Sequence, residues 1–323
     1  MIDIIAERSP LGGLERWLAD PAVDEVIVNG RGDVWIERAG SLARVATMSA
    51  SAVTTALEHI LRPIGRRIDR SNPTVDARLP DGSRVCAVIE PIAVDGPCLT
   101  IRKFALRPLR LSAFTTPDVE TLLQTVVVAR CNLLVSGATS SGKTTLLNAL
   151  AALVPTTERI ITLEDIAELR LAHPHVVRFE TRTPSAEGTG EVTLAHLLRT
   201  ALRMRPDRLV LGEVRGAEAV QLVQAMNTGH DGSMATVHAN SAVDALARVC
   251  SLVLQEVPGW PLDAIYDQVR RSIDVVIHVA RCSGDNQRQV VEVCETDSAS
   301  GSLQLRRLAD QAVVTAQLRR CRR

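Results

Sequence analysis

The sequence predicts an α/β protein: a mainly parallel sheet covered on both faces, preceded by a smaller α+β N-terminal domain. Three observations lead there. Short, fully apolar runs at 133–135, 160–163, 176–179 and 209–211 alternate with helical segments, the pattern of strands buried on both faces. The earlier part of the chain carries hairpin-type runs and turn residues instead. Between the two, residues 105–116 lack a clean period, with Pro108 and Pro117 near the ends of the segment. The expected boundaries are 1–104 for the N-terminal domain, 105–116 for a linker, 117–296 for the larger domain and 297–323 for an irregular tail.

In the N-terminal domain, Ser9-Pro10 reads as the cap and first position of a short helix reaching Leu18. Runs at 25–28 and 34–37 flank Asn29-Gly30-Arg31-Gly32-Asp33 and form a hairpin. Val53, Leu57, Ile60 and Leu61 recur at helical spacing, giving a helix from Ser49 that stops at Pro63. Strands follow at 75–79, 84–89 and 99–104, with Pro80-Asp81-Gly82 turning between the first two. In the larger domain, Leu194, Leu197, Leu198, Ala201 and Leu202 line one face of an amphipathic helix. Ser241 with Asp244 opens a helix running to Leu254, and 273–279 and 290–294 read as late strands.

Composition narrows the function classes. The chain has 323 residues, with Lys plus Arg equal to Asp plus Glu at 37 each. It lacks the basic excess that nonspecific phosphate-backbone binding needs, and at 2% aromatic it has few stacking platforms. Direct nucleic-acid binding is therefore not expected. Seven cysteines with no closely spaced pair argue against a disulfide framework and for a reducing compartment, and zinc-ligand spacings are missing. The first ten residues, MIDIIAERSP, carry acids where a signal peptide has a basic region. No stretch approaches the roughly 18 to 20 apolar residues that span a bilayer. The expectation is a cytoplasmic protein that reaches a membrane through partners.

Gly137-Ala138-Thr139-Ser140-Ser141-Gly142-Lys143-Thr144 fits the phosphate-binding pattern Gly-x-x-x-x-Gly-Lys-Ser/Thr, with a strand before it and a helix from Thr145 after it. The two glycines let the backbone turn close to phosphate, and successive N–H groups with the helix start make an anion nest. Lys143 suits the β and γ phosphates and the Thr144 hydroxyl suits Mg²⁺. ATP and Mg²⁺ are thus the expected cofactors, and the larger domain reads as a RecA-like P-loop domain. Glu213 follows the strand at 208–211, where parallel sheets build their sites, and reads as a Mg²⁺ or water-positioning acid. Glu164 ends the strand at 160–163 and suits a general base, while Asp165 beside it suits a helix N-cap. Asp207 starts its strand and faces the wrong end. His230 and His238, in a turn and at a strand end, read locally as structural residues; His59, His173, His175, His196 and His278 carry no functional expectation. Arg84 and Arg102, in the N-terminal domain, can stabilise phosphoryl charge from another domain or subunit, although salt-bridging surface arginines look the same in sequence.

These motifs resemble the secretion ATPases of the type II/type IV superfamily, and within them the branch of Tad (tight adherence) pilus assembly, often called CpaF or TadA. The resemblance runs from about Leu14 to Val293. It is densest at 133–150, 159–169, 202–218 and 225–240, which are similar to the family's Walker A, acidic "Asp box", Walker B ending in Gly-Glu, and "His box". It implies that Glu164 is the Asp-box glutamate, Glu213 the Walker B glutamate and His238 a γ-phosphate-side histidine. It also implies that Arg84 and Arg102 reach phosphate across an interdomain cleft. The family works as a homo-hexamer on the cytoplasmic face of the inner or plasma membrane, coupled to polytopic platform proteins. Ala138 and Ser140 depart from the family's glycines, the N-terminal extension is short, and nothing after Val293 matches. A VirB11-like ATPase of conjugal DNA transfer or effector export shares the same site. An ATP-binding regulator without turnover is a third reading, and a small-molecule kinase is disfavoured because no second substrate pocket can be named.

Overall fold

The computed structural model describes residues 3–4, 11, 13–103, 109–182, 184, 189–282, 287–297, 304–311 and 313–319. The chain divides into two compact units, Met1–Arg107 and Pro108–Arg323.

The first unit contains β1 (Asp3–Ile4), α1 (Glu15–Ala19), β2 (Glu25–Val28), β3 (Asp33–Arg38), β4 (Ser41–Thr47), α2 (Ala50–Leu61), β5 (Thr74–Arg78), β6 (Arg84–Val88) and β7 (Cys98–Arg102). Its strands form a seven-stranded sheet in the order β1-β4-β3-β2-β7-β6-β5, antiparallel apart from the parallel β1–β4 edge. Alternate residues of β2, β3 and β7 (Val26, Val28, Val34, Ile36, Leu99, Ile101) pack with Val53, Ala56, Leu57 and Ile60 of α2 in one core. The helix expected from Ser49 is found, and Ser49 caps it, its hydroxyl accepting the Ala52 N–H at 3.2 Å. The helix expected from Ser9 begins instead at Glu15, behind Leu14, which offers no side-chain cap; Ser9 and Pro10 lie outside the described residues. Strand β4 was not expected, because its first four residues are exposed and give no apolar alternation.

The second unit contains α3 (Pro117–Val128), β8 (Leu133–Gly137), α4 (Lys143–Ala151), β9 (Ile160–Glu164), β10 (Val176–Glu180), α5 (Leu194–Leu202), β11 (Arg208–Leu211), α6 (Glu218–Asn227), β12 (Met234–His238), α7 (Ala242–Glu256), α8 (Leu262–Ser272), β13 (Val275–Arg281), β14 (Arg288–Thr296), β15 (Leu305–Asp310) and β16 (Val313–Val314). They build a nine-stranded sheet in the order β10-β9-β11-β12-β8-β13-β14-β15-β16. The strands from β10 to β13 are parallel, and β14, β15 and β16 add antiparallel. Successive strand residues point to opposite faces. Leu134, Ile161, Leu163, Leu209, Leu211, Ala235 and Val237 meet α5, α6, α7 and α8. Leu133, Val135, Ile160, Val210 and Met234 meet α3 and α4. This double burial is the α/β architecture read from the apolar runs.

Two expectations about irregular chain need correction. Part of the segment read as linker is folded: Leu111 and Phe114 are buried in the core with α3 and α4, and the Phe114 carbonyl accepts the Val290 N–H at 2.9 Å. Residues 104–108 lie outside the described residues. The tail expected to be irregular from 297 instead extends the sheet with β15 and β16, burying Leu308 and Ala309. Its apolar residues are too few, among Arg306, Arg307 and Asp310, to register as a strand by alternation. The arginine-rich end at 320–323 lies outside the described residues. Among the described residues, no helix is long and apolar enough to cross a membrane.

Candidate functional site

The candidate residues gather where neighbouring parallel strands end. β8 runs into Gly137, β12 ends at His238, β11 at Leu211 and β9 at Glu164. In register, His238 lies opposite Gly137, and Leu211 lies opposite both Ala235 and Leu163. Adjacent strands are about 4.8 Å apart. The strand of His238 is thus immediately beside the P-loop strand, that of Glu213 next, and that of Glu164 beyond it. Counting in steps of two puts Gly137, His238, Gly212 and Glu164 on the face that carries α4. His230, in contrast, precedes β12 at its amino end, and Asp207 accepts the Arg159 N–H at 2.7 Å at the same end; neither belongs to the site.

The P-loop closes on itself. Lys143, buried, donates from Nζ to the carbonyls of Gly137 at 3.0 Å and Ala138 at 2.9 Å. Ala138, Thr139 and Ser140 are exposed at its tip, while Thr144 and Thr145 are half-buried in the first turn of α4. Gly142 has φ +102, a conformation that needs glycine, and its carbonyl accepts the Leu146 N–H at 2.8 Å. Ser140, one of the residues replacing a family glycine, takes φ +60, and Arg281 Nε donates to its carbonyl at 2.9 Å. Ser141 is 3% exposed, and its hydroxyl has no partner among the described residues. Behind the loop, Ser136 Oγ and His278 Nδ1 lie 2.9 Å apart. Burial pushes His278 below the usual histidine range, against the opposing pull of Glu292 and Asp244.

Glu164 is 2% exposed. Its Oε1 accepts the N–H groups of Glu168 and Leu169, each at 2.8 Å, while Oε2 has no partner among the described residues. Burial raises its pKa to about 7, partly offset by those N–H groups and by Arg178. The expectation that Asp165 caps a helix is not met. Residues 165–175 contain no helix, because Glu164 and Asn148, which accepts the Arg170 N–H at 2.9 Å, satisfy that loop's donors instead. Gly212 bridges the neighbouring strands, donating to Leu163 O at 2.9 Å and accepting from Thr236 Oγ1 at 2.6 Å. Glu213, half-buried, accepts from Arg215 Nη2 at 2.7 Å through Oε2. That contact raises the Arg215 pKa, and the same guanidinium is 4.0 Å from Asp165.

Arg84 and Arg102 belong to the first unit, directly opposite each other on β6 and β7. Glu25 on β2 faces Arg102 from the other side. The structure thus brings the two arginines together with each other. Lys103 beside them is structural, donating to the Asp20 carbonyl at 2.6 Å.

The donor chemistry fits ATP with Mg²⁺. Oxygen donors suited to the ion are the Thr144 hydroxyl and the Glu213 carboxylate. Among the described residues no trio of His, Cys, Asp or Glu could hold a metal alone. Mg²⁺ takes one or two protein oxygens and completes its shell with phosphate and water. The sequence had missed Arg215, Arg281, Arg288 and the role of Gly212. Arg215 follows Glu213 closely enough to have been noticed, whereas Arg281 and Arg288 reach the loop from strands far along the chain.

Known proteins resemble this chain along most of its length. A Mycobacterium tuberculosis protein named "Putative conjugal transfer protein" is 38% identical over 313 residues, covering 92% of this chain and 88% of its own. The conjugal transfer protein TrbB of Rhizobium radiobacter is 33% identical over 282 residues, covering 81% and 85%. Among solved structures, the VirB11 ATPase of the Brucella suis type IV secretion system is 31% identical, with a TM-score of 0.50 and coverage of 87% and 92%. None of these singles out the pilus-assembly branch. The type II/IV secretion system protein family matches residues 7–321, and the chain belongs to that family.

Proposed function

We propose that this protein hydrolyses MgATP to drive transfer through a machine of the conjugal or type IV secretion kind. The observation that carries the reading is the alignment of the P-loop, His238, Glu213 and Glu164 at the carboxyl ends of consecutive parallel strands. Lys143 and the loop N–H groups hold the β and γ phosphates, with Thr144 and Glu213 toward the metal. Bound there, Mg²⁺ supplies charge neutralisation on the phosphate oxygens. Glu164 Oε2 takes a proton from water as that water attacks the γ-phosphorus and the bond to the β-phosphate oxygen breaks. A carboxyl held near pKa 7 by burial suits that task. His238 lies on the γ-phosphate side. Arg84 and Arg102, from the same or a neighbouring subunit, stabilise charge on the transferring phosphoryl group. The working form is a homo-hexamer on the cytoplasmic face of a membrane, bound to polytopic platform proteins.

The names of the relatives favour conjugal or type IV transfer over Tad pilus assembly, the branch that the sequence blocks resemble. Cross-linking in native membranes, followed by identification of what co-purifies, separates the two. Recovery of a relaxase, coupling protein or type IV channel subunits supports the proposal. Small pilins and a prepilin peptidase would move the protein to the pilus branch.

A further inference from the structure

The start of α4 gathers positive charge without a negative counterpart in its own first turn. That turn holds Lys143 and no acid. The helix dipole adds partial positive charge at the same end, which favours an anion there. Two further cations reach it. Arg281 and Arg288 lie opposite each other on the antiparallel strands β13 and β14. Arg281 Nε donates to Ser140 O at 2.9 Å. Arg288 Nη1 lies 3.4 Å from Thr145 Oγ1, and its shaft crosses Gly142 so closely that a Cβ there would lie 2.7 Å from Arg288 Cδ. Inside the same loop, the buried Ser141 hydroxyl has no partner among the described residues.

We infer that Arg288 is a nucleotide-binding residue that recognises the α-phosphate, with Arg281 setting the shape of the loop tip. The inference rests on the nucleotide-binding reading above. Lys143 and Thr144 serve the β and γ phosphates and the metal. Thr145, one residue further into the helix, is on the α-phosphate side, and Arg288 stands against it. A guanidinium fork there completes the cradle on the side that Lys143 does not reach. Gly142 is then required twice: for its positive φ, and to let the Arg288 shaft pass.

The test is equilibrium titration of the full chain with ADP and with a slowly hydrolysed ATP analogue, each with Mg²⁺. Arg288→Ala is expected to weaken both by about tenfold or more and by equal factors, since both carry the α-phosphate. Arg288→Lys is expected to recover part of the loss, because it keeps the charge and loses the fork. The nucleotide-free melting temperature should stay within about 3 °C of wild type, which separates a ligand contact from a structural one. Wild-type ADP affinity in Arg288→Ala would overturn the inference and leave nucleotide binding standing. A loss confined to the ATP analogue would also overturn it, by placing the arginine at the γ end. Failure of the wild-type chain to bind either nucleotide would overturn both.

Discussion

Gly212 is the surface on which Glu164 rests: a Cβ at position 212 would lie 2.9 Å from Glu164 Cγ and 3.5 Å from Oε1. The Gly-Glu pair that follows β11 therefore has two separate duties. Glu213 presents a carboxylate, while Gly212 leaves room for the carboxylate of the next strand.

Gly212→Ala is expected to displace Glu164 without touching the P-loop. Turnover should fall by about tenfold or more, as a misplaced base loses most of its contribution, while nucleotide affinity stays within about threefold of wild type. Steady-state hydrolysis and nucleotide titration on one preparation check this. Equal losses in both would mean that the substitution had disturbed the whole sheet edge.

The raised pKa of Glu164 links stability to pH. Its folded value of about 7 exceeds the ordinary 4.5, so the folded state holds this proton more tightly than the unfolded state. The stabilisation is fully present below about pH 4.5 and is lost as pH rises toward 7, on the order of 3 kcal/mol in all. Glu164→Gln stays neutral and escapes that loss. Its advantage in urea unfolding over wild type should grow between about pH 4.5 and 7 and then level off. An advantage that does not change with pH would remove burial as the source of the shift.

At the opposite end of the strands, fully buried Arg208 donates from Nε to Glu158 Oε2 at 2.6 Å and from Nη1 to Val127 O and Gly232 O at 3.2 Å each. Removing Glu158 strips the ionic partner from a guanidinium inside the sheet. Glu158→Ala should cost about 3–5 kcal/mol of unfolding free energy, measured by urea titration. Arg215 with Glu213 is the contrasting case, because the arginine side chain is 58% exposed. Arg215→Ala should cost no more than about 1 kcal/mol.

The sequence carried the α/β class, most strands of both units, the helix start near Ser49 and the cap at Ser241, because strands buried on both faces and capped amphipathic helices leave periodic local marks. The positions of the P-loop, Glu164 and Glu213 were legible for a related reason: each stands at or just past the end of an apolar strand. Contacts between distant segments were not legible. Nothing near Arg281 or Arg288 announces that a late hairpin meets the P-loop. The exposed residues of β4 and the arginine-rich β15 hide their strand character, since edge strands bury little. Asp165 misled because an acid after a strand looks the same whether a helix or a side-chain-tied loop follows.

Arg102 is exposed on β7, so Arg102→Ala should leave stability within about 0.5 kcal/mol of wild type. Single-turnover hydrolysis on nucleotide-saturated protein should nonetheless slow by tenfold or more, about the scale of a lost charge-stabilising contact. Arg84, directly opposite, is the second position to test. Unchanged rates in both variants would make this pair ordinary surface residues of the first unit.

The account depends most directly on separating nucleotide binding from turnover. Lys143→Ala, Glu213→Gln and Glu164→Gln should be compared by MgATP affinity and by steady-state hydrolysis in the same buffer. Lys143→Ala is expected to lose both, since it removes the charge that meets the β and γ phosphates. The two glutamine variants keep shape and lose a charge, so each should bind MgATP within about threefold of wild type while turnover drops by about a hundredfold. Wild-type turnover in both glutamine variants would contradict the assignment of this sheet edge as the catalytic site.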